Sequence, residues 1–174
     1  RNYGLEMTLE RFYHNRFYYL ATVSLYESQF KALADEDFRT SRFNGNFASN
    51  FLIGKEFQIG SKEKNRTIAV NAKVTYVGGA RYTPIDLASS IEDNETVLFD
   101  NQYLGKRGDN VFKTDIGLSY RRDREKTTHE FKIDLQNVTN NQAVVEEYFD
   151  DRRGEIETAK QWPFFPNVIY TIQF

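Results

Sequence analysis

The chain has 174 residues and a net charge of −2, enough for one domain with a core and too near neutral to direct it to nucleic acid. It has no cysteine, which removes disulfides, thiolate catalysis and cysteine-bound metal centres. It also lacks the run of about 18 apolar residues that a transmembrane helix needs. Its 15 Phe and 11 Tyr against 3 Pro favour strands, and a charged fraction of 28% suits either a soluble sheet or a barrel whose strands face water on one side.

Seven segments alternate apolar and polar residues, as strands with one buried face do. Tyr3–Arg11 sets Tyr3, Leu5, Met7 and Leu9 against Gly4, Glu6, Thr8 and Glu10. Phe17–Glu27 follows, with Phe17, Tyr19, Ala21, Val23 and Leu25 on one face. Asn46–Ile59 carries Phe47, Phe51, Ile53, Phe57 and Ile59, interrupted by Lys55, which leaves a bulge or a local dip in the apolar face open there. Thr67–Val77 aligns Ile68, Val70, Ala72, Val74 and Tyr76 against Thr67, Asn71, Lys73 and Thr75. Phe112–Arg121 aligns Phe112, Ile116, Leu118 and Tyr120 against Lys113, Asp115, Gly117, Ser119 and Arg121. The sixth segment begins near Glu130 with Phe131, Ile133 and Leu135 and is open to continuation past Asn137–Asn140 as far as Tyr148. The tail, Asn167–Phe174, puts Val168, Tyr170, Ile172 and Phe174 on one face, with Ile169 out of pattern.

Connections alternate strictly in length. Phe12–Arg16, Gly60–Arg66 and Arg122–Thr128 are short and polar; Ser28–Gly45, Gly78–Val111 and Phe149–Pro166 are long. In an up-and-down antiparallel sheet every tight turn then lies at one end and every long loop at the other, the habit of outer-membrane barrels with short periplasmic turns. The first and last strands both descend toward the tight turns, and an odd strand count cannot close a single-chain bacterial barrel. The expectation is an all-β, antiparallel up-and-down transmembrane β-barrel segment occupying residues 1–174, with Arg1 a processing or fragmentation boundary.

The tail resembles the C-terminal assembly signal of outer-membrane proteins, carried here by Tyr170, Ile172 and Phe174. Asp134–Gln142 resembles the segment on the penultimate strand of TonB-dependent outer-membrane receptors, with Val138-Thr139 in place of Leu-Phe. Arg42-Phe43-Asn44-Gly45-Asn46 and Gly79-Ala80-Arg81-Tyr82-Thr83-Pro84 are similar to runs in receptors of the Bacteroidota. The resemblance implies the C-terminal part of a barrel of about 22 strands in the outer membrane of a Gram-negative bacterium. It implies import of a scarce ligand (iron chelate, cobalamin, glycan or peptide), with no enzymatic activity and no cofactor. The implied partners are the chain's own plug domain and preceding strands, the TonB complex acting through that plug, the assembly machinery, the bilayer and a surface lipoprotein; nucleic acid is not among them. Two other classes stay open: a passive pore or adhesin-like barrel, and a soluble antiparallel β-sandwich acting as a binding module.

On the wall reading, Glu6, Glu10, Lys73, Asp115, Lys132 and Asp134 are the lumen-facing candidates, joined by Asn50, Glu56, Asn71, Lys113 and Gln136. Any water-filled lumen needs polar walls, so most of these are expected simply to be wet. Tyr82, Tyr148 and Trp162 are the loop aromatics able to stack on a ring, an interfacial girdle being the plainer explanation. The acidic runs Asp35-Glu36-Asp37 and Glu92–Glu95 lack calcium-loop spacing, and His14 and His129 are too isolated for a metal centre, so no metal site is expected.

Overall fold

The structure, a computed structural model, describes residues 1–33, 37–60 and 65–174. It is all-β and antiparallel. Seven long strands form one sheet in the order β1 (Asn2–His14), β2 (Phe17–Phe30), β4 (Phe47–Ile59), β5 (Arg66–Val77), β8 (Val111–Asp123), β9 (Thr128–Gln136) and β12 (Phe165–Gln173). The short β3 (Arg39–Thr40) extends β2, β6 (Arg81–Tyr82) pairs β7 (Lys106–Arg107), and β10 (Val144–Asp150) pairs β11 (Glu155–Lys160). Among the described residues the sheet does not close, and β1 and β12 are its edges.

The register carries the alternation across the whole sheet. Leu5 opposes Leu25, Ala21 opposes Phe51, Phe51 opposes Val74, Val70 opposes Leu118, Leu118 opposes Ile133 and Ile133 opposes Val168. A one-residue slip at any strand would invert its faces, so this pairing is what the apolar pattern selects. The resulting apolar face is bare: Leu5 is 73% exposed, Met7 66%, Leu118 45% and Tyr170 60%. The buried apolar residues Tyr82, Ile85, Leu104 and Ala143 belong instead to the loops. The chain exposes 12163 Å², against about 8,800 Å² for a folded monomer of this mass by surface scaling. The excess, on the order of 3,000 Å² by this comparison, reflects the open, single-layer sheet.

Tight connections gather at one end. Asn15 and Arg16 both have positive φ, 53° and 61°, the two-residue geometry that matches the twist of paired strands. Arg124–Thr127 closes the β8–β9 turn through a 2.8 Å backbone bond. Residues 61–64 of the expected short connection Gly60–Arg66, and Asp35-Glu36 of the first acidic run, lie outside the described residues.

Three sequence expectations are corrected. Lys55 causes no bulge: it stays in register opposite Phe17 and Val70, with its ammonium 5.4 Å from the Phe57 ring. The register shift falls instead between Arg11 and His14. The sixth strand does not run on to Tyr148; it stops at Gln136 because Asn137 and Asn140 take positive φ (both 50°) and reverse the chain. The long connections are not plain loops either. The second holds helix α1 (Leu87–Asp93), capped by Asp86, whose carboxylate accepts from the Ser89 N–H at 3.3 Å, and ended by left-handed Asn94. The third holds the β10–β11 hairpin.

At the far end these connections interlock. Arg81 N–H donates to Arg42 O (2.8 Å), Gly78 N–H to Phe47 O (3.0 Å), and Asp109 N–H to Val144 O (2.9 Å). Arg107 donates to the carbonyls of Gly45 and Gly79. Gly45 and Gly78 pass backbone to backbone, so a Cβ on Gly78 would sit 1.8 Å from Gly45 O. Gly78→Ala is therefore expected to cost about 1–3 kcal/mol through overpacking and to expose the first long loop to proteolysis, with urea titration and limited digestion as the checks.

Candidate functional site

The face opposite the apolar one is polar, and its charges concentrate on β5, β8 and β9. Lys73 opposes Asp115 in register. Lys113 Nζ lies 3.3 Å from Asp115 Oδ1 and donates to Gln136 Oε1 at 3.4 Å. Lys132 and Asp134 pair at 2.9 Å. These pairs join side chains two apart on one strand, which the period of two places on the same face. They are partly exposed, so each contributes only about 0–1 kcal/mol. Gly117 leaves room for Asn71 to lie over its backbone, and the resulting depression of about 210 Å³ is lined by Asn71, Lys113, Asp115, Asp134 and Gln136.

Lys113 and Gln136 also line a larger cleft, about 550 Å³, where the sheet meets the β10–β11 hairpin. Its other walls are Asn137, Val145, Ala159, Lys160, Gln161, Trp162, Pro163 and Phe165. Asn137 builds this corner. It is 1% exposed; its Nδ2 donates to the carbonyls of Asn141 (2.9 Å) and Trp162 (2.8 Å), and its Oδ1 accepts from the Asn141 N–H (3.2 Å). Its own N–H donates to Asp115 Oδ1 at 2.9 Å, tying the corner to the charged row. The backbone of Trp162 is thus held while its ring stays 76% exposed, edge-on to Phe165 at 6.4 Å. Gln161 Oε1 is buried without a hydrogen-bond partner, an acceptor still to be satisfied in the cleft wall.

The hairpin is latched to its neighbours from outside. Arg42 pairs with Glu146 at 2.6 Å and Lys106 with Glu147 at 2.5 Å. The hydrogen bond to Glu147 raises the Lys106 pKa, and burial, then the Glu147 charge, raises that of Tyr82 beside it. A lysine with a raised folded pKa stabilises fully below its unfolded value, 10.5, and loses that contribution as pH rises through the folded value. The latch is therefore expected to hold unchanged from pH 6 to 9 (about the neutral range) and to loosen only above 10.5, read as faster cleavage of the hairpin by an alkali-tolerant protease.

The structure brings Lys73, Asp115, Lys132 and Asp134 together. Glu6 and Glu10 stand on edge strand β1, opposite Ser24 and Leu20, across the sheet from that row. Tyr82, at 9% exposure, packs inside the second long loop and offers no open ring face. Tyr148 lies on the hairpin, 46% exposed, its hydroxyl donating to Glu157 at 3.3 Å. Tyr170 and Ile172 lie on the apolar side of edge strand β12, with the Tyr170 hydroxyl 2.8 Å from His129 Nδ1; Phe174 follows that strand at 99% exposure. Phe165, like Trp162, is one of the loop-end aromatics the sequence offers, whereas Lys160 and Gln161 went unread because the end of a hairpin inside a long connection carries little alternation. Among the described residues no group of three or more His, Cys, Asp or Glu is placed to hold a metal. Comparison with protein-family models, curated proteins and solved structures returns no match.

Proposed function

We propose that this chain is part of the wall of an outer-membrane β-barrel of the TonB-dependent receptor class, contributing lipid-facing strands, a polar lumen surface and a latched extracellular rim. The observation that carries the wall is the bare apolar face spanning all seven long strands, backed by a polar face and by long connections confined to one end. Hydrocarbon is the solvent that such a face suits, and open edges on β1 and β12 call for further strands, because lipid satisfies no backbone hydrogen bond. The receptor class rests on the resemblance of Asp134–Gln142 and the tail to that family. In that role the chain imports nothing alone; a plug and the remaining strands complete the transporter.

The same bare face supports a second reading, a soluble sandwich in which another sheet packs about 10 Å away. Brominated acyl chains separate the two. With Leu118→Trp on the apolar face and Ser119→Trp on the polar face, each in a Trp162→Phe background, bilayer-inserted wall is quenched strongly only at position 118. A monodisperse chain without detergent, or equal quenching at both positions, overturns the wall. Receptor and passive pore are separated in cells, where a protonophore stops uptake only through a receptor.

A further inference from the structure

Trp162 is the chain's single tryptophan, and three-quarters of its surface lies open beside a cleft whose charged lining residues, among those described, are lysines. In a chain with more acidic than basic side chains, Lys113 and Lys160 line this cleft and, among the described residues, no Asp or Glu does. Lys113 keeps capacity for a ligand: an ammonium has three donors, of which Asp115 and Gln136 take two. Asp115 in turn is shared with the Asn137 N–H. Around the two cations Val145, Ala159, Pro163 and Phe165 supply apolar wall, with the amides of Gln136, Asn137 and Gln161 between them.

We propose that this cleft is a binding subsite for a ring-bearing carboxylate, the ring lying on the Trp162 indole and the carboxylate held by Lys113 and Lys160. A small inorganic anion leaves the indole and the apolar walls unused. A neutral ring leaves the ammonium groups unused. The volume of about 550 Å³ suits a ligand of one or two rings, since small-molecule sites commonly span about 300–1,000 Å³. Asn137 acts here as a positioning residue, since its amide holds the Trp162 carbonyl rather than the ligand. The inference rests on the wall reading only in that the cleft then opens to the lumen side.

The test is titration of the chain in detergent with benzene-1,3,5-tricarboxylate, followed by emission from Trp162. The expected result is a saturable change that weakens at least tenfold (about 1.4 kcal/mol by the affinity relation) in Lys113→Gln/Lys160→Gln. Lys113→Arg/Lys160→Arg, which keeps both charges, is expected to retain binding. Raising salt from about 0.01 M to about 1 M, which shortens the Debye length from roughly 30 Å to 3 Å, is expected to weaken it as well. The neutral analogue 1,3,5-tris(hydroxymethyl)benzene is expected to cause no comparable change. An equal response to the neutral triol, an undiminished response in the double glutamine variant, or no saturation overturns the subsite. A chain that inserts into bilayers yet ignores the tricarboxylate loses the subsite and keeps the wall. A soluble chain that binds it loses the wall and keeps the subsite.

Discussion

On the proposed membrane-wall reading, Leu118→Arg is expected to destabilise the protein in a bilayer by about 2–4 kcal/mol, while Phe112→Arg, on the same face of the same strand, is expected to cost only about 0–1 kcal/mol. Leu118 lies near the middle of β8 and Phe112 at its loop end, so the two positions differ in depth and little else. Both residues are partly exposed, at 45% and 36%, and Phe112 sets its ring edge-on to Tyr76 at 6.2 Å, so each loss includes some packing inside the chain and it is the excess at Leu118 that reports depth. In hydrocarbon the guanidinium at mid-strand has no water within reach, whereas near the end its stem carries the charge to the interface. Reversible unfolding of the two variants in bilayers by denaturant measures the difference. A sandwich core has no such depth gradient, so equal losses at the two positions would count against a membrane wall.

The second large effect is expected at Asn137. Asn137→Ala removes the amide that satisfies the Asn141 and Trp162 carbonyls and the Asn141 N–H, and leaves those part-buried groups without that partner. Each unsatisfied group costs about 1–3 kcal/mol, and alanine at φ 50° adds about 1 kcal/mol of backbone strain. A loss of roughly 3–5 kcal/mol in the stability of the hairpin corner follows, allowing for partial rescue by water. Asn137→Gly tolerates the left-handed conformation but lacks the amide, so it separates the two contributions. Both variants are expected to loosen Trp162, seen as a fall in its fluorescence anisotropy, with little change in the far-ultraviolet signal of the main sheet. Loss of the whole sheet signal would show that this corner nucleates the fold rather than finishing it.

Legibility in the sequence follows the range of the interactions. The strands Asn2–His14 and Arg66–Val77 were readable because period-two alternation records a local demand, that one side of each strand meets an apolar environment. The reversal at Asn137 was harder. Asn137 and Asn140 looked like a pause in a strand, and only the hydrogen bonds to Trp162 and Asp115 show a corner built from residues 22 to 25 positions apart. Helix α1 had local signals in Asp86 and Asn94, but seven residues among acidic neighbours read as solvated loop. Tyr82 was misjudged for the same reason: burial in a loop depends on which other loops cover it, and nothing adjacent in sequence reports that.

The sequence by itself determined the seven long strands, the face their side chains take, and the segregation of tight turns from long connections; the five short strands inside the long connections it did not show. Those features arise from residues within a few positions of one another. Tertiary structure alone decided that the long connections interlock into a latched rim and that Lys113, Gln136, Lys160 and Trp162 converge on one cleft. Their meeting depends on strand register and on the single reversal at Asn137, through contacts between segments that alternation along the chain does not encode.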